Sequence, residues 1–251
     1  MKNFTWAVWA ALVAITMAAP AGAATVSESF TGATRGSDWL LVQDAPTALW
    51  LDQTGGRLEL RSAGGGAASN DALYLSAGVP GIKLNTANDF ALTIDYNFSG
   101  FTASPGGTIA LALGIGRDLA GTDSAAIAFA RSSVPFFDTG LAAAYRVDDV
   151  ETQIPIAYAA TSGTLSITYT SATDRLTLGD GTNSTNLDGL VRGQWAADDV
   201  YVSFGGRGSG LSLASGEAYL DNFSATPEPA TLALLILGGA GALLRRRYPR
   251  A

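Results

Sequence analysis

The 251-residue sequence contains no cysteine and no histidine. Without cysteine no disulfide can form, so the fold has to be held by its core alone. Without histidine the chain cannot build a Ser-His-Asp or Cys-His catalytic site, or a histidine-ligated zinc centre. Only 15% of the residues are charged, and no stretch before Pro227 shows a helical period with caps.

The C-terminal segment has three parts in a fixed order. The motif Pro227, Glu228, Pro229 is followed by an uncharged apolar stretch, 230–244, and then by Arg245, Arg246 and Arg247. A proline pair leaves an extended junction, and the apolar stretch as a helix is about 22 Å long, short of a hydrocarbon core of about 30 Å. It inserts if the bilayer thins or the flanks snorkel, and the arginines then stop transfer on the cytoplasmic side. The alternative is a buried helix of a globular domain, which three terminal arginines argue against.

This arrangement resembles the PEP-CTERM sorting signal of exported bacterial proteins. The resemblance covers 227–247 and matches part for part. It implies recognition by a membrane-embedded exosortase, removal of the tail near the Pro-Glu-Pro motif, and delivery to the cell surface or exopolysaccharide matrix of a Gram-negative-type bacterium. The tail indicates where the protein goes and says nothing about what its body does.

The N-terminus predicts export as well. Lys2 is a minimal positive region, 4–18 is apolar, and small residues at 20–24 suit a signal peptidase that cuts after Ala23. An uncleaved anchor is the alternative. The predicted organisation is a signal peptide at 1–23, a single domain at 24–226 and the sorting segment with its transmembrane helix at 227–251.

The predicted body is strongly acidic. It contains ten basic and 21 acidic residues, so its net charge is −11, compared with −7 for the whole chain. Such a surface repels nucleic acid, keeps an extracellular protein soluble and attracts divalent cations.

Most of the body has the alternating pattern of half-buried strands. Residues 90–98 alternate without a break, and 165–170 and 175–178 form a predicted hairpin around a turn at 171–174. Further strands are predicted at 26–30, 57–61, 108–115, 125–130, 141–147, 200–204 and 217–223. Short strands separated by glycine-rich turns predict an all-β fold, an antiparallel jelly-roll β-sandwich.

The segments 90–98, 162–169 and 218–223 are similar in pattern and order to the concanavalin A-like jelly rolls of lectins and carbohydrate-binding modules. The resemblance spans most of the body but includes no diagnostic motif. It implies two packed sheets and carbohydrate contact, although a fold by itself does not give a function.

A catalytic carboxylate pair is hard to find. Jelly-roll glycosidases carry a tight cluster of two glutamates and an aspartate on one strand face, and this sequence departs from that pattern. The nearest cluster is 148–151, in which Asp149 and Glu151 would share a face if the segment were a strand. The alternative is a solvated turn. We therefore predict no catalytic residues.

A structural calcium ion is a further hypothesis. Jelly-roll modules often hold calcium between the first and last strands, and here those strands carry Glu28 and Asp221. The alternative is a pair of ordinary exposed strand charges. No cofactor is required otherwise.

Aromatic side chains outside the regular strands could stack on sugars. They are Trp39, Trp50, Trp195, Phe136 and Phe137. Large aromatics are more often part of a core, so both interpretations stay open.

These observations predict a non-enzymatic, exported β-sandwich that acts at the cell surface or in the extracellular polysaccharide. Signal peptidase and exosortase are its transient partners, the membrane holds it before processing, and polysaccharide is its expected lasting partner. The first alternative is a lectin-like carbohydrate-binding module, which an exposed aromatic row would favour. The second is a divergent glycoside hydrolase using Asp149 and Glu151, which two carboxylates buried in a cleft would favour.

Overall fold

The computed structural model describes residues 26–32, 36–63, 70–76, 82–99, 107–132, 140–157, 160–210 and 212–227. The predicted signal peptide and nearly all of the predicted sorting segment, including Glu228, Pro229, Arg245, Arg246 and Arg247, lie outside this part of the chain. Within it, no helix is long and apolar enough to cross a membrane. All of the strands belong to one compact unit, Thr25–Pro227.

Seventeen strands are present in the described residues, with one short 3-10 helix (Ser171–Thr173) and one turn of π-helix (Leu190–Gln194). In chain order the strands are β1 (Val26–Glu28), β2 (Trp39–Gln43), β3 (Leu49–Thr54), β4 (Arg57–Ala63), β5 (Asn70–Ser76), β6 (Lys83–Asn85), β7 (Phe90–Asn97), β8 (Thr108–Gly116), β9 (Ser124–Ser132), β10 (Gly140–Val147), β11 (Val150–Ala157), β12 (Ser162–Thr170), β13 (Arg175–Gly179), β14 (Ser184–Asp188), β15 (Asp199–Ser209), β16 (Ser212–Leu213) and β17 (Tyr219–Pro227).

The strands form two antiparallel sheets that pack as a sandwich. The nine-stranded sheet has the order β14-β13-β12-β7-β17-β4-β16, with β1 paired to β17 and β3 paired to β4. The eight-stranded sheet has the order β11-β10-β9-β8-β15-β5-β2, with β6 paired to β15. The predicted all-β antiparallel sandwich is therefore confirmed. The first strand, β1, pairs with the last strand, β17, in the nine-stranded sheet.

The core lies between the two sheets and follows directly from the alternation in sequence. Along β7 every second side chain is buried, so Leu92, Ile94 and Tyr96 point inward while Thr93 and Asp95 point outward. Each fully buried aliphatic side chain contributes about 1.5–3 kcal/mol. With no disulfide in the chain, this burial and the two hydrogen-bonded ladders hold the fold.

All ten predicted strands are present, with ends shifted by a few residues. Seven more were not predicted: β2, β3, β5, β6, β11, β14 and β16. Some of these strands are only two or three residues long. Others lie near a sheet edge, where apolar and polar residues do not alternate regularly. In β2, for example, Leu40 and Val42 are exposed although both are apolar, so the polarity signal that marks the outer face of a strand is missing there.

Candidate functional site

The structure corrects the assumption that Asp149 and Glu151 lie on one strand. Asp148 and Asp149 form the two-residue turn between β10 and β11, with φ of 49° and 66°. Short polar side chains tolerate this left-handed conformation. The Asp149 amide donates to the Thr122 carbonyl, which holds the turn against the preceding loop. The turn interpretation was therefore the correct one.

Arg146 forms surface ion pairs with both Asp149 and Glu151. Its guanidinium lies 2.9 Å from Glu151 and 3.6 Å from Asp149, whose side chain is 71% exposed. Hydrogen bonds from Gln153 and Arg146 lower the pKa of Glu151 below its usual value. A catalytic general acid needs the opposite, a raised pKa in a dry site. The pair therefore lacks the environment of a glycosidase acid and base.

Glu28 and Asp221 lie on adjoining strands but not on one face. Glu28 pairs with Phe223, a core residue, whereas Asp221 pairs with Asp95 on the outer face. The Glu28 carboxylate accepts a hydrogen bond from the Phe30 amide at 2.9 Å. Among the described residues, no group of three or more acidic side chains is arranged to hold a metal ion. The calcium site stays a prediction, and this register gives it no support.

The tryptophans divide between core and surface. Trp39 and Trp195 are buried, and the Trp195 indole donates to the Arg146 carbonyl at 2.9 Å. Neither is available to a sugar. Trp50 is half-buried on the outer side of β3, whereas Phe136 and Phe137 lie outside the described residues.

The middle of the outer face of the eight-stranded sheet is built from very small side chains, bordered by larger ones such as Arg207, opposite Ala110, and Gln153, opposite Ala144. The central strands present the small side chains in register, for example Ala112 opposite Ala128, which in turn lies opposite Ala142. The residues of this alanine face are Ala110, Ala112, Gly114, Ala126, Ala128, Ala130, Ala142, Ala144, Ser203 and Gly205. Within this group there is no carboxylate, amide or ring that could hold a ligand in one orientation.

The outer face of the nine-stranded sheet is different, because it carries a polar depression of about 330 Å³. Its lining comes from β7, β12 and β17 and their adjoining residues, namely Asp95, Tyr96, Asn97, Ser162, Gly163, Thr164, Tyr219, Asp221 and Asn222. Two carboxylates, two amides, two hydroxyls and a tyrosine ring therefore meet on one surface.

Strand register brings Asp95 and Asp221 directly opposite each other. Opposed side chains on antiparallel strands have Cβ atoms about 4.5–5.5 Å apart, and like charges there repel. Asp95 accepts hydrogen bonds from the Thr164 hydroxyl at 2.6 Å and from the Asn222 side-chain amide at 3.0 Å. These donors offset part of the repulsion and fix the Asp95 carboxylate.

A β-bulge puts Asn222 in this position. The register between β17 and β7 shifts between Asp221 and Ser224, and Asn222 has a φ of 49°. Asparagine is one of the few residues that adopt this conformation readily. The bulge turns Asn222 toward the depression and returns Phe223 to the core.

Several polar groups in the depression have no partner among the described residues. They are the Tyr219 hydroxyl, the Asn97 side-chain nitrogen and the second carboxylate oxygen of Asp221. The Tyr96 hydroxyl, in contrast, donates to the Ala160 carbonyl at 2.8 Å, and burial raises its pKa to about 12. The Tyr96 side chain is therefore neutral and turned toward the core, while the unpartnered groups face outward.

A buried charge network supports one side of the depression. Glu59 is fully buried and lies opposite Tyr219, and Arg57, Arg61 and Ser215 surround its carboxylate. Burial favours a raised pKa for Glu59, but hydrogen bonds from Ser215 and Arg57 outweigh it, so the pKa is lowered. The Arg57 guanidinium lies 4.4 Å from the centre of the Tyr219 ring, which holds the ring in place.

Sequence reasoning identified Asp221 but missed the other members of the depression. One local signal was available. The core residues Leu220 and Phe223 are three apart, which breaks a period of two and indicates a bulge at the intervening Asn222. The meeting of β7 with β17 was not readable, because it depends on the order of strands in the sheet.

Comparison with known families identifies the C-terminal segment. Residues 225–247 match the PEP-CTERM protein-sorting motif. The resemblance noted for 227–247 is therefore confirmed. The motif marks an exported protein that is processed at a membrane by exosortase. No curated protein sequence matches the chain.

Solved structures share the fold at low sequence identity. Lectin UEA-II, complexed with galactose, has a TM-score of 0.54 at 11% identity and covers 83% of this chain and 100% of its own. An endo-1,3-β-glucanase from Streptomyces sioyaensis has a TM-score of 0.56 at 9% identity, covering 84% and 98%. Rv0315 of Mycobacterium tuberculosis, described as a pseudo β-1,3-glucanase, has a TM-score of 0.52 at 12% identity, covering 81% and 98%. The jelly-roll fold is shared with lectins and glucanases alike.

Proposed function

We propose that the protein is a non-enzymatic, exported β-sandwich that binds polysaccharide at the cell surface or in the extracellular matrix through the polar depression. The observation that carries this proposal is the set of unpartnered groups on Tyr219, Asn97 and Asp221, which face outward from a fixed frame. A carboxylate accepts from sugar hydroxyls, an amide nitrogen donates to them, and a phenol does both.

The depression has the mixture of groups that suits a polyol. Thr164 and Asn222 hold Asp95, and Arg57 holds Tyr219, so little ordering is left to occur on binding. Preorganised groups lose less entropy when a ligand binds. The alanine face offers no such groups, which supports a contact on the nine-stranded sheet.

The proposal of a non-enzymatic role rests on the described carboxylates. Asp149 and Glu151 are surface partners of Arg146, and the pKa of Glu151 is lowered rather than raised. Asp95 and Asp221 lie opposite each other on neighbouring strands, but their depression on an outer sheet face is open, so water is not excluded from it. One similar structure is itself described as a pseudo-glucanase.

Sorting agrees with a role outside the cell. We expect exosortase to cut the chain near Pro227, Glu228 and Pro229 and to release it from the membrane. Mass spectrometry of the protein recovered from its host should find no peptide beyond this motif. An exported protein that keeps Arg245, Arg246 and Arg247 would contradict the proposed processing.

Binding is tested with residues 24–227, which contain every strand of the compact unit. On a glycan array and by affinity electrophoresis, this domain should bind at least one neutral polysaccharide without releasing reducing ends from it. Asp221→Ala should weaken binding about tenfold, because a hydrogen bond to a charged group is worth roughly 1.5–3 kcal/mol. Tyr219→Ala should weaken it by about the same factor, because it removes a neutral hydrogen bond together with the ring contact.

The matched controls are Asp199→Ala and Tyr201→Ala, since these residues are also a carboxylate and a phenol two positions apart, on the eight-stranded sheet. They should bind like the unmodified domain. Equal losses for both pairs of variants, or the appearance of new reducing ends, would refute the proposal.

A further inference from the structure

A second aromatic side chain lies on the same face as the depression. Trp50 points outward from β3, where it pairs with Arg61 of β4. Two residues further along β4, Glu59 pairs with Tyr219 of β17. Trp50 and Tyr219 are therefore separated by two strand spacings across the sheet and one two-residue step along it.

These spacings give the distance between the Cα atoms of Trp50 and Tyr219. Neighbouring strands are about 4.8 Å apart and two residues along a strand span roughly 6.8 Å, so the two Cα atoms are about 12 Å apart. This distance exceeds the width of one sugar ring. A single monosaccharide in the depression cannot reach Trp50, whereas an extended oligosaccharide can.

The surface between the rings is charged but balanced. Arg61 lies 3.4 Å from Glu59 and 3.5 Å from Asp52, and Arg57 lies 2.7 Å from Glu59. Two arginines thus neutralise two carboxylates. The Arg57 and Arg61 side chains are 33% and 25% exposed, and an arginine only donates hydrogen bonds, so their accessible N–H groups suit sugar hydroxyls.

The charge that remains on this face is negative, because Asp95 and Asp221 have no cationic partner among the described residues. The body as a whole carries a net −11, from ten basic and 21 acidic residues. Such a surface repels a polyanion, whereas uncharged hydroxyls are attracted by the carboxylates.

We propose that a neutral, extended oligosaccharide lies across β12, β7, β17, β4 and β3, with one ring in the polar depression and a later ring on the Trp50 indole. Aromatic faces suit the apolar side of a sugar ring. This inference rests on the proposed function, since it assumes that the depression binds saccharide. It adds the direction of the chain, its minimum length and its lack of charge.

Chain length provides the test. The affinities of residues 24–227 for β-1,3-gluco-oligosaccharides and cello-oligosaccharides of one to six rings are measured by titration calorimetry, with alginate oligosaccharides as the charged counterpart. We expect affinity to rise with length and then level off once the chain reaches Trp50. Trp50→Ala should lose about two- to tenfold for long chains and nothing for the shortest that binds. Trp50→Phe should retain much of the gain.

The outcomes separate this inference from the proposed function. If the unmodified domain binds neither these saccharides nor any neutral polysaccharide on the array, both fail. If it binds them with no dependence on length, or if Trp50→Ala, folded as judged by its melting temperature, equals the unmodified domain for long chains, the path to Trp50 is wrong while the depression stands. If alginate binds as tightly as the neutral chains, the charge argument is wrong.

Discussion

The two outer faces of this sandwich are made by the same kind of strand but offer opposite chemistry. On the eight-stranded sheet, the outward positions in the middle of β8, β9 and β10 are alanine and glycine, and Arg146 is outward only at the end of β10. On the nine-stranded sheet, the outward positions of β7 and β17 include Asp95, Asn97, Tyr219 and Asp221. The inward positions of both sheets are equally apolar. The fold is therefore specified by one side of each strand, and the other side is free to carry a site or to carry none.

The largest effect is expected for the inward side of β7. Ile94 is fully buried, whereas its neighbour Thr93 points outward. Ile94→Ala should lower the free energy of unfolding by about 2–5 kcal/mol, because it removes buried methyl groups and leaves a cavity. Thr93→Ala should lower it by less than about 1 kcal/mol. Denaturant melts of both variants decide this, and equal small losses would mean that the two sides of β7 have been confused.

The next effect concerns the packing of the eight-stranded sheet against the core. A Cβ atom at Gly206 would lie 2.3 Å from Leu60 Cδ2 and 2.8 Å from the Ala110 carbonyl oxygen. Because that oxygen belongs to the backbone of β8, Gly206→Ala should destabilise the domain by roughly 1–3 kcal/mol.

Gly208 on the same strand is the matched control, since its nearest contacts for a Cβ atom are 3.4 and 3.5 Å away. Gly208→Ala should change stability by less than about 0.5 kcal/mol. Comparable losses at the two glycines would show that close approach of β8 and β15 is not what requires Gly206.

The charge network beneath the polar face predicts an acid-sensitive stability. The pKa of Glu59 is lowered from 4.5 in the folded protein, so its ionised form stabilises the fold above that pH. This stabilisation is lost as the pH falls through the folded pKa. Glu59→Gln should be less stable at pH 7, and its difference from the unmodified domain should shrink below a pH of about 4. Melting temperatures of the two proteins are measured across this pH range. A difference between them that stays constant with pH would contradict the role given to ionised Glu59.

The smallest effect is expected on the alanine face. Ala128 is half-buried between Ala112 and Ala142. Ala128→Thr places a residue of higher strand propensity on the face that is outside the proposed binding surface. Stability should change by less than about 1 kcal/mol, and saccharide affinity should not change. A marked loss of affinity in the same titrations would move the binding surface to the eight-stranded sheet.

The sequence predicts one side of each strand well and the other side poorly. Alternation in 90–98 and 165–170 identifies inward residues such as Ile94 and Ile167, because burial imposes a period of two. The outward residues follow no such rule. Asp95 and Asp221 are far apart in the chain and meet only through the order of strands. Local conformation can also mislead. Asp149 and Glu151 share a face only if both lie on a strand, and Asp149 lies instead in a turn with positive φ.

The central claim is that polysaccharide binds to the nine-stranded sheet and not to the alanine face. The most direct measurement is the change in backbone amide NMR signals of residues 24–227 on addition of the polysaccharide that binds most tightly on the array. We predict that the signals of Asn97, Gly163 and Asn222 shift, while those of Ala112 and Ala128 stay in place. Shifts confined to β8 and β9, with none in β7 and β17, would contradict the account.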